Sequence, residues 1–170
     1  MPKVIKFKNK TKNFIETGSY IGDGIQLAID SGFEKIYSIE ISEDYYSICK
    51  DRFINNKNVE MIKGDSFYEL EKIINDSEVP FTYWLDGHYS GGKTGFGELE
   101  FPIMIELESI LKRGINGEII YIDDMRILRN YSEDINEYKM REILSKYKKE
   151  FTITFENSEH SENDIMIFEY

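Results

Sequence analysis

From Asn13 onward, short apolar runs alternate with longer segments in which apolar residues recur every three or four positions, the pattern of strand and helix in turn. Asn13–Thr17 reads as a first strand. A glycine-rich turn follows and leads into a helix over Gly24–Asp30, where Ile25, Ala28 and Ile29 share a face and Gly32 ends the helix. Lys35–Ile39 reads as a second strand. Ser42 is placed to cap a helix that carries Tyr45, Cys49 and Phe53 at four-residue spacing, which assigns Cys49 to the core. Val59–Ile62 is a third strand. Ser66-Phe67-Tyr68-Glu69 has the form of a capping box, opening a helix with Leu70, Ile73 and Ile74 inward.

Phe81–Leu85 reads as a fourth strand. The stretch Gly87–Gly97 holds five of the chain's twelve glycines and reads as a loop. Pro102 suits the first turn of the next helix, with Ile103, Leu107, Ile110 and Leu111 as its apolar stripe and Gly114 as its end. Glu118–Ile122 is a fifth strand and Ser132–Lys149 a polar-faced helix. Phe151–Phe155 and Ile165–Phe168 alternate like an antiparallel hairpin at the sheet edge. The sum is seven strands and five helices, an α/β fold with a doubly wound, mostly parallel sheet.

Composition narrows the class. A chain of 170 residues with 41% hydrophobic and 14% aromatic side chains can bury one core, so residues 1–170 are expected to form a single domain. The net charge of −11 argues against nucleic acid as a partner. The lone cysteine, Cys49, implies neither disulfides nor a zinc site. Lys3, Lys6, Lys8, Lys10 and Lys12 precede no apolar signal region, and no stretch approaches the roughly 20 apolar residues that span a bilayer. A cytoplasmic protein with no membrane partner is expected.

In an open α/β sheet the ligand sits outside the carboxyl ends of the strands. Here five successive strands end in acids: Glu16, Glu40, Asp65, Asp86, and Asp123 with Asp124. Any one of them alone is an ordinary strand-end or capping residue; the five together point to a site. The turn Glu16-Thr17-Gly18-Ser19-Tyr20-Ile21-Gly22-Asp23-Gly24 departs from the dinucleotide fingerprint, and an acid beside it would repel a pyrophosphate and attract an ammonium. Glu40, 22 residues past Gly18, is where a carboxylate accepts from ribose hydroxyls. Asp65, in Lys63-Gly64-Asp65-Ser66, can accept from an adenine amino group or cap its helix.

On Phe14-Ile15-Glu16-Thr17-Gly18 with Gly22 and Gly24, Tyr37-Ser38-Ile39-Glu40, Lys63-Gly64-Asp65-Ser66 and Trp84-Leu85-Asp86-Gly87-His88-Tyr89-Ser90-Gly91-Gly92, the chain resembles the class I S-adenosylmethionine-dependent methyltransferases over about Phe14–Asp124. The last of these segments resembles small bacterial methyltransferase-like proteins linked to surface glycans. The resemblance implies a Rossmann-like seven-stranded sheet with its last strand antiparallel. It places Glu16 and Gly18 near the methionine part of S-adenosylmethionine, Glu40 on the ribose and Asp65 near the adenine. The cofactor-binding set it suggests is Glu16, Thr17, Gly18, Ser19, Gly22, Gly24, Glu40, Ile41, Asp65, Ser66 and Asp86. Tyr20 stands where the family often has a central glycine, which leaves the path of that turn open.

His88 and Asp86 are the candidates for catalysis, His88 as the base that takes a proton from an acceptor hydroxyl. Its alternative role is to shape the loop. Asp86, Asp123 and Asp124 are candidates to hold Mg²⁺, unless they are solvated or neutralised by Arg126 or Arg129. His160 reads as part of a solvated hairpin turn. The expected function is methyl transfer to an oxygen of a sugar, a glycan or another small molecule, held by the loop, a partner subunit or a homo-oligomer interface. Two other readings stand beside it. Gly87–Thr94 matches the P-loop pattern with Lys93 as its lysine, which would make a nucleotide phosphotransferase. The domain can also bind an adenosyl ligand without doing chemistry.

Overall fold

In the computed structural model, which describes residues 6–8, 10–89, 91 and 95–170, seven strands form one sheet in the order β3-β2-β1-β4-β5-β7-β6. The elements follow the chain as β1 Asn13–Thr17, α1 Asp23–Ser31, β2 Lys35–Glu40, α2 Glu43–Arg52, β3 Val59–Lys63, α3 Ser66–Asn75 and β4 Phe81–Leu85. After them come α4 Ile103–Lys112, β5 Ile119–Ile122, α5 Met125–Leu128, α6 Glu137–Tyr147, β6 Thr152–Glu156 and β7 Ile165–Glu169. β1 to β5 pair in parallel, and β7 runs antiparallel to both of its neighbours, β5 and β6. This is the expected Rossmann-like sheet. Strand order reverses at β1, between β2 and β4, so the crevice of the fold opens at the carboxyl ends of those strands.

The two faces of the sheet carry separate cores because successive side chains point to opposite faces. On one face Ile15, Ile39, Tyr83, Leu85, Ile120 and Ile122 pack against Leu70, Leu107 and Leu144 of α3, α4 and α6. On the other, Phe14, Ile36, Trp84 and Tyr121 pack with Ile25, Ala28, Cys49 and Phe53 of α1 and α2, and Phe7 of the N-terminal segment joins them. Central β4 is buried at every position, while edge strand β6 is exposed at alternate ones. Cys49 is in the core, as its spacing required. Truncating a side chain such as Leu107, fully buried between α4 and the sheet, belongs to the class of changes that cost about 2–5 kcal/mol.

Four local readings are corrected. α3 is capped by Asp65, whose Oδ1 accepts from the Phe67 N–H at 3.0 Å, and Ser66 is the first helical residue. Pro102 stands at the N-cap of α4. The helix expected over Ser132–Lys149 begins only at Glu137, because Ser132–Asn136 closes on itself: the Ser132 N–H donates to Ile135 O, and the Asn136 side chain caps α6 by accepting from Lys139. Asp124, in the left-handed region at φ 58°, turns the chain directly from β5 into α5, a one-turn helix that makes six helices among the described residues.

Candidate functional site

The turn after β1 is held by its backbone. Gly18 has φ 81°, donates to Ile39 O at 2.9 Å, and lies so close to the end of β4 that a Cβ would stand 2.4 Å from Asp86 O. Only glycine fits there. Tyr20 also takes a left-handed conformation, φ 47°. The Ser19 and Tyr20 N–H groups both donate to Glu40 Oε2 at 3.0 Å, and Ser42 N–H donates to Glu40 Oε1 at 2.7 Å. Glu40 therefore joins the first turn to the start of α2, an anchoring role that its sequence position did not disclose.

Glu16 is the most buried acid facing the crevice, 1% exposed. Its Oε2 accepts from Ser38 Oγ, which lies 2.6 Å from Ser19 Oγ. Burial pushes its pKa up to about 8, against the lowering effect of the Ser38 hydrogen bond and with help from the nearby charges of Asp86 and Glu40. Thr17 sits below the crevice: its carbonyl and its Oγ1 both accept from Asp86 N–H, at 3.1 and 3.3 Å. Gly22 starts α1 with φ 88° and packs on Phe53.

Asp65 is engaged at both oxygens. Besides capping α3, it accepts from Glu98 N–H at 2.6 Å, so the far end of the Gly87–Gly97 loop returns to β3, with Gly95 packed on Ile41. The described far end of this loop thus lies against Ile41 and Asp65, beside the ends of β2 and β3. Its residues Ser90, Gly92, Lys93 and Thr94 lie outside the described residues. The P-loop reading rests on Gly87 and on three of these, Gly92, Lys93 and Thr94, and α4 begins only at Ile103, too late for a helix amino end to cradle phosphates at such a loop.

The acids after β4 and β5 meet around a histidine. His88 Nδ1 lies 3.3 Å from Asp86 Oδ1, and its Nε2 lies 3.2 Å from Asp124 Oδ2. The ring stacks on Phe101 at 5.3 Å with an interplanar angle of 4°. Burial alone would lower the pKa of His88, but hydrogen bonds to Asp124 and Asp86 and their charges outweigh it and push it up to about 10. Arg126 bridges Asp124 Oδ1 at 2.5 Å to Asp164 Oδ2, and its own N–H donates to Asp164 Oδ1. Asp124 is held below the usual carboxylate range: burial opposes this, and His88 and Arg126 override it. Burial, with Asp86 and Asp124 close by, pushes Asp123 up to about 8. Burial likewise raises Asp86, against the lowering influence of His88.

The three acids expected to share Mg²⁺ do not converge as one ligand set. Among the described residues, the groups whose ligand atoms come within 4.8 Å of one another are Asp86, His88 and Asp124, and separately Asp123, Asp124 and Asp164. Asp164 is already bound to Arg126 and to Ser158 Oγ. Asp86, Asp124 and Asp164 face cations of the chain itself, His88 and Arg126, so the donor set is not the open oxygen cage that Mg²⁺ demands.

These features surround a cavity of about 810 Å³ over the strand ends, lined by Glu16, Gly18, Ser19, Gly24, Glu40, Ile41, Asp65, Ser66, Asp86, His88, Asp123 and Asp124. Of the expected site residues, Thr17 and Gly22 support it from behind. Trp84, Tyr45, Arg126 and His160 also line it, His160 from the β6–β7 connection, where it is exposed as expected. Glu106 lies outside the expected set, 2% exposed beneath the floor, with Oε2 3.5 Å from Thr17 Oγ1 and with no hydrogen-bond partner for Oε1 among the described residues. Burial raises it to about 7. Its only trace in the sequence is an acid on the apolar stripe of a helix.

No protein-family model and no curated protein matches the chain. Solved structures do. An O-methyltransferase from Bacillus cereus in complex with S-adenosylhomocysteine is 19% identical with a TM-score of 0.66, covering 94% of this chain and 73% of its own. TomG, an O-methyltransferase from Streptomyces achromogenes involved in tomaymycin synthesis, solved with S-adenosylmethionine, is 13% identical with a TM-score of 0.69 and the same coverage. A precorrin-6y C5,15-methyltransferase from Geobacter metallireducens is 13% identical with a TM-score of 0.56, covering 93% of this chain and 78% of its own. The chain therefore has the Rossmann-like methyltransferase fold. No helix among the described residues is long and apolar enough to cross a membrane.

Proposed function

We propose that the protein is a methyltransferase that binds S-adenosylmethionine across the ends of β1, β2 and β3 and transfers its methyl group to an oxygen of a small hydroxylated acceptor, such as a sugar. The observation that carries this reading is the cavity itself. Its size suits a ligand as large as S-adenosylmethionine, and Glu16, Glu40, Asp65 and Asp86 line it in strand order. Glu16, set in the space left by Gly24, suits the ammonium of the amino-acid part. Glu40 suits the ribose and Asp65 the adenine.

S-adenosylmethionine supplies a methyl group on a positively charged sulfur. The acceptor oxygen attacks that carbon as the carbon–sulfur bond breaks, the bonding pair stays on sulfur, and the hydroxyl proton passes to a base. His88 suits that task poorly, because both its ring nitrogens face carboxylates and a doubly protonated ring has no lone pair to offer. Asp86, raised by burial and lining the cavity, takes the proton in its place. The loop and strand ends hold the acceptor in line, which accounts for most of the rate gain in such a transfer. Around the acceptor end, Asp123, Ser158 and His160 offer hydrogen bonds of the kind that recognise hydroxyls.

The test is release of S-adenosylhomocysteine from S-adenosylmethionine against a panel of sugars and other hydroxylated small molecules. Acceptor-dependent release is expected, reduced on the order of 10²–10⁴-fold in Asp86→Asn, with binding of S-adenosylhomocysteine retained. Binding without release for any acceptor would favour an adenosyl-binding domain that does no chemistry.

A further inference from the structure

We propose that His88 is the resident cation of the acceptor site and that, with Arg126, it stands in for a divalent metal ion among Asp86, Asp124 and Asp164. The inference rests on the reading of this cavity as the transfer site, and it concerns what holds the acids there in place.

Geometry carries the argument. The two ring nitrogens of His88 lie 3.3 Å from Asp86 Oδ1 and 3.2 Å from Asp124 Oδ2, so one ring spans two carboxylates that arrive on different strands. Where both partners are carboxylates each contact takes its proton from the ring, and a ring that donates from both nitrogens is an imidazolium. Stacking on Phe101, which packs in turn on Tyr131 at 4.3 Å, fixes the plane of the ring, so the bridge cannot swing away without uncovering an aromatic face. Arg126 continues the chain of charge from Asp124 Oδ1 to Asp164, which is fully buried. Both oxygens of Asp124 thus face protein cations.

A hard cation would need the same carboxylate oxygens and six or more oxygen ligands, with a nitrogen cation nowhere among them. Seating one between Asp86 and Asp124 would require expelling the His88 ring from its stack. His88 is accordingly a positioning residue. It sets the separation and orientation of Asp86 and Asp124, as a bound metal would, without contributing a ligand position to the acceptor.

The experiment measures binding of the metal alone. S-adenosylhomocysteine is first titrated into the wild-type protein by calorimetry, which tests the cofactor reading separately. MgCl2 and MnCl2 are then titrated in parallel with thermal unfolding. The wild type is expected to give no metal-binding heat and no change in Tm at millimolar metal, and a chelator should leave its Tm unchanged. His88→Asp removes the ring and adds a carboxylate, and is expected to gain Mn²⁺ binding, with Tm raised by roughly 3–6 °C once the metal exceeds its dissociation constant tenfold. Stoichiometric Mg²⁺ or Mn²⁺ binding by the wild type with a rise in Tm would overturn the proposal, as would a His88→Asp protein that is folded by circular dichroism yet gains no affinity. If His88→Asp does not fold, the wild-type titration decides alone. Failure of S-adenosylhomocysteine to bind, with the wild type still indifferent to metal, counts against the cofactor reading and leaves the resident cation standing.

Discussion

Gly24 leaves open the space that the Glu16 carboxylate fills: a Cβ on Gly24 would stand 1.8 Å from Glu16 Oε1. The glycine in the first turn of α1 and the acid at the end of β1 are therefore one device, with the helix start shaped to admit a buried carboxylate. Gly24→Ala forces that carboxylate to move while leaving a good helix former in place. The expected result is a loss of S-adenosylhomocysteine affinity of at least tenfold, about 1.4 kcal/mol, read by calorimetry on a protein whose circular dichroism matches the wild type.

Glu16 makes a second prediction through its proton. With its pKa raised to about 8 by burial, Glu16 is mostly protonated at pH 7 in the empty site. An ammonium docking against it favours the charged form, so binding of S-adenosylmethionine at pH 7 should release up to roughly 0.9 proton. Titrations in buffers of different ionisation enthalpy should give apparent enthalpies that vary with the buffer. In Glu16→Gln that buffer dependence should vanish, together with most of the affinity.

Much of this arrangement is legible in the sequence. β1 and β4 match their expected bounds because each is a short apolar run cut off by a glycine turn, which local chemistry alone enforces. The acids at the strand ends were found because the fold puts every parallel strand's carboxyl end on one side. What stayed hidden depends on partners distant in the chain. His88 looks like a free base until Asp124, 36 residues later, closes on its second nitrogen. Arg126 and Asp164 are 38 residues apart and meet only because β7 inserts beside β5. α6 starts later than its periodicity predicts for a local reason, since Ser132 and Asn136 satisfy a turn and a cap with their own side chains, and periodicity does not register that.

Glu106 should make stability depend on pH. Its folded-state pKa of about 7 lies above its ordinary value of 4.5, so the proton it keeps in the fold supports stability fully below about pH 4.5, and that support is lost as pH rises to 7. Glu16 and Asp123 act in the same direction at somewhat higher pH. The difference between wild type and Glu106→Gln isolates Glu106. Urea unfolding at pH 5, 6, 7 and 8 should show wild-type stability falling relative to the variant by on the order of 1–3 kcal/mol across that range. Parallel curves for the two proteins would mean that Glu106 ionises as an ordinary carboxylate.

That the crevice at the ends of β1, β2 and β3 is an adenosyl-amino-acid site is tested by calorimetric titration of S-adenosylhomocysteine and Mg²⁺-ATP into the wild type and Glu40→Ala. One-to-one binding of S-adenosylhomocysteine to the wild type is expected, with loss of that binding in Glu40→Ala and no binding of ATP to either. Binding of ATP alone, undiminished in Glu40→Ala, would contradict it and move the site to Gly87–Thr94.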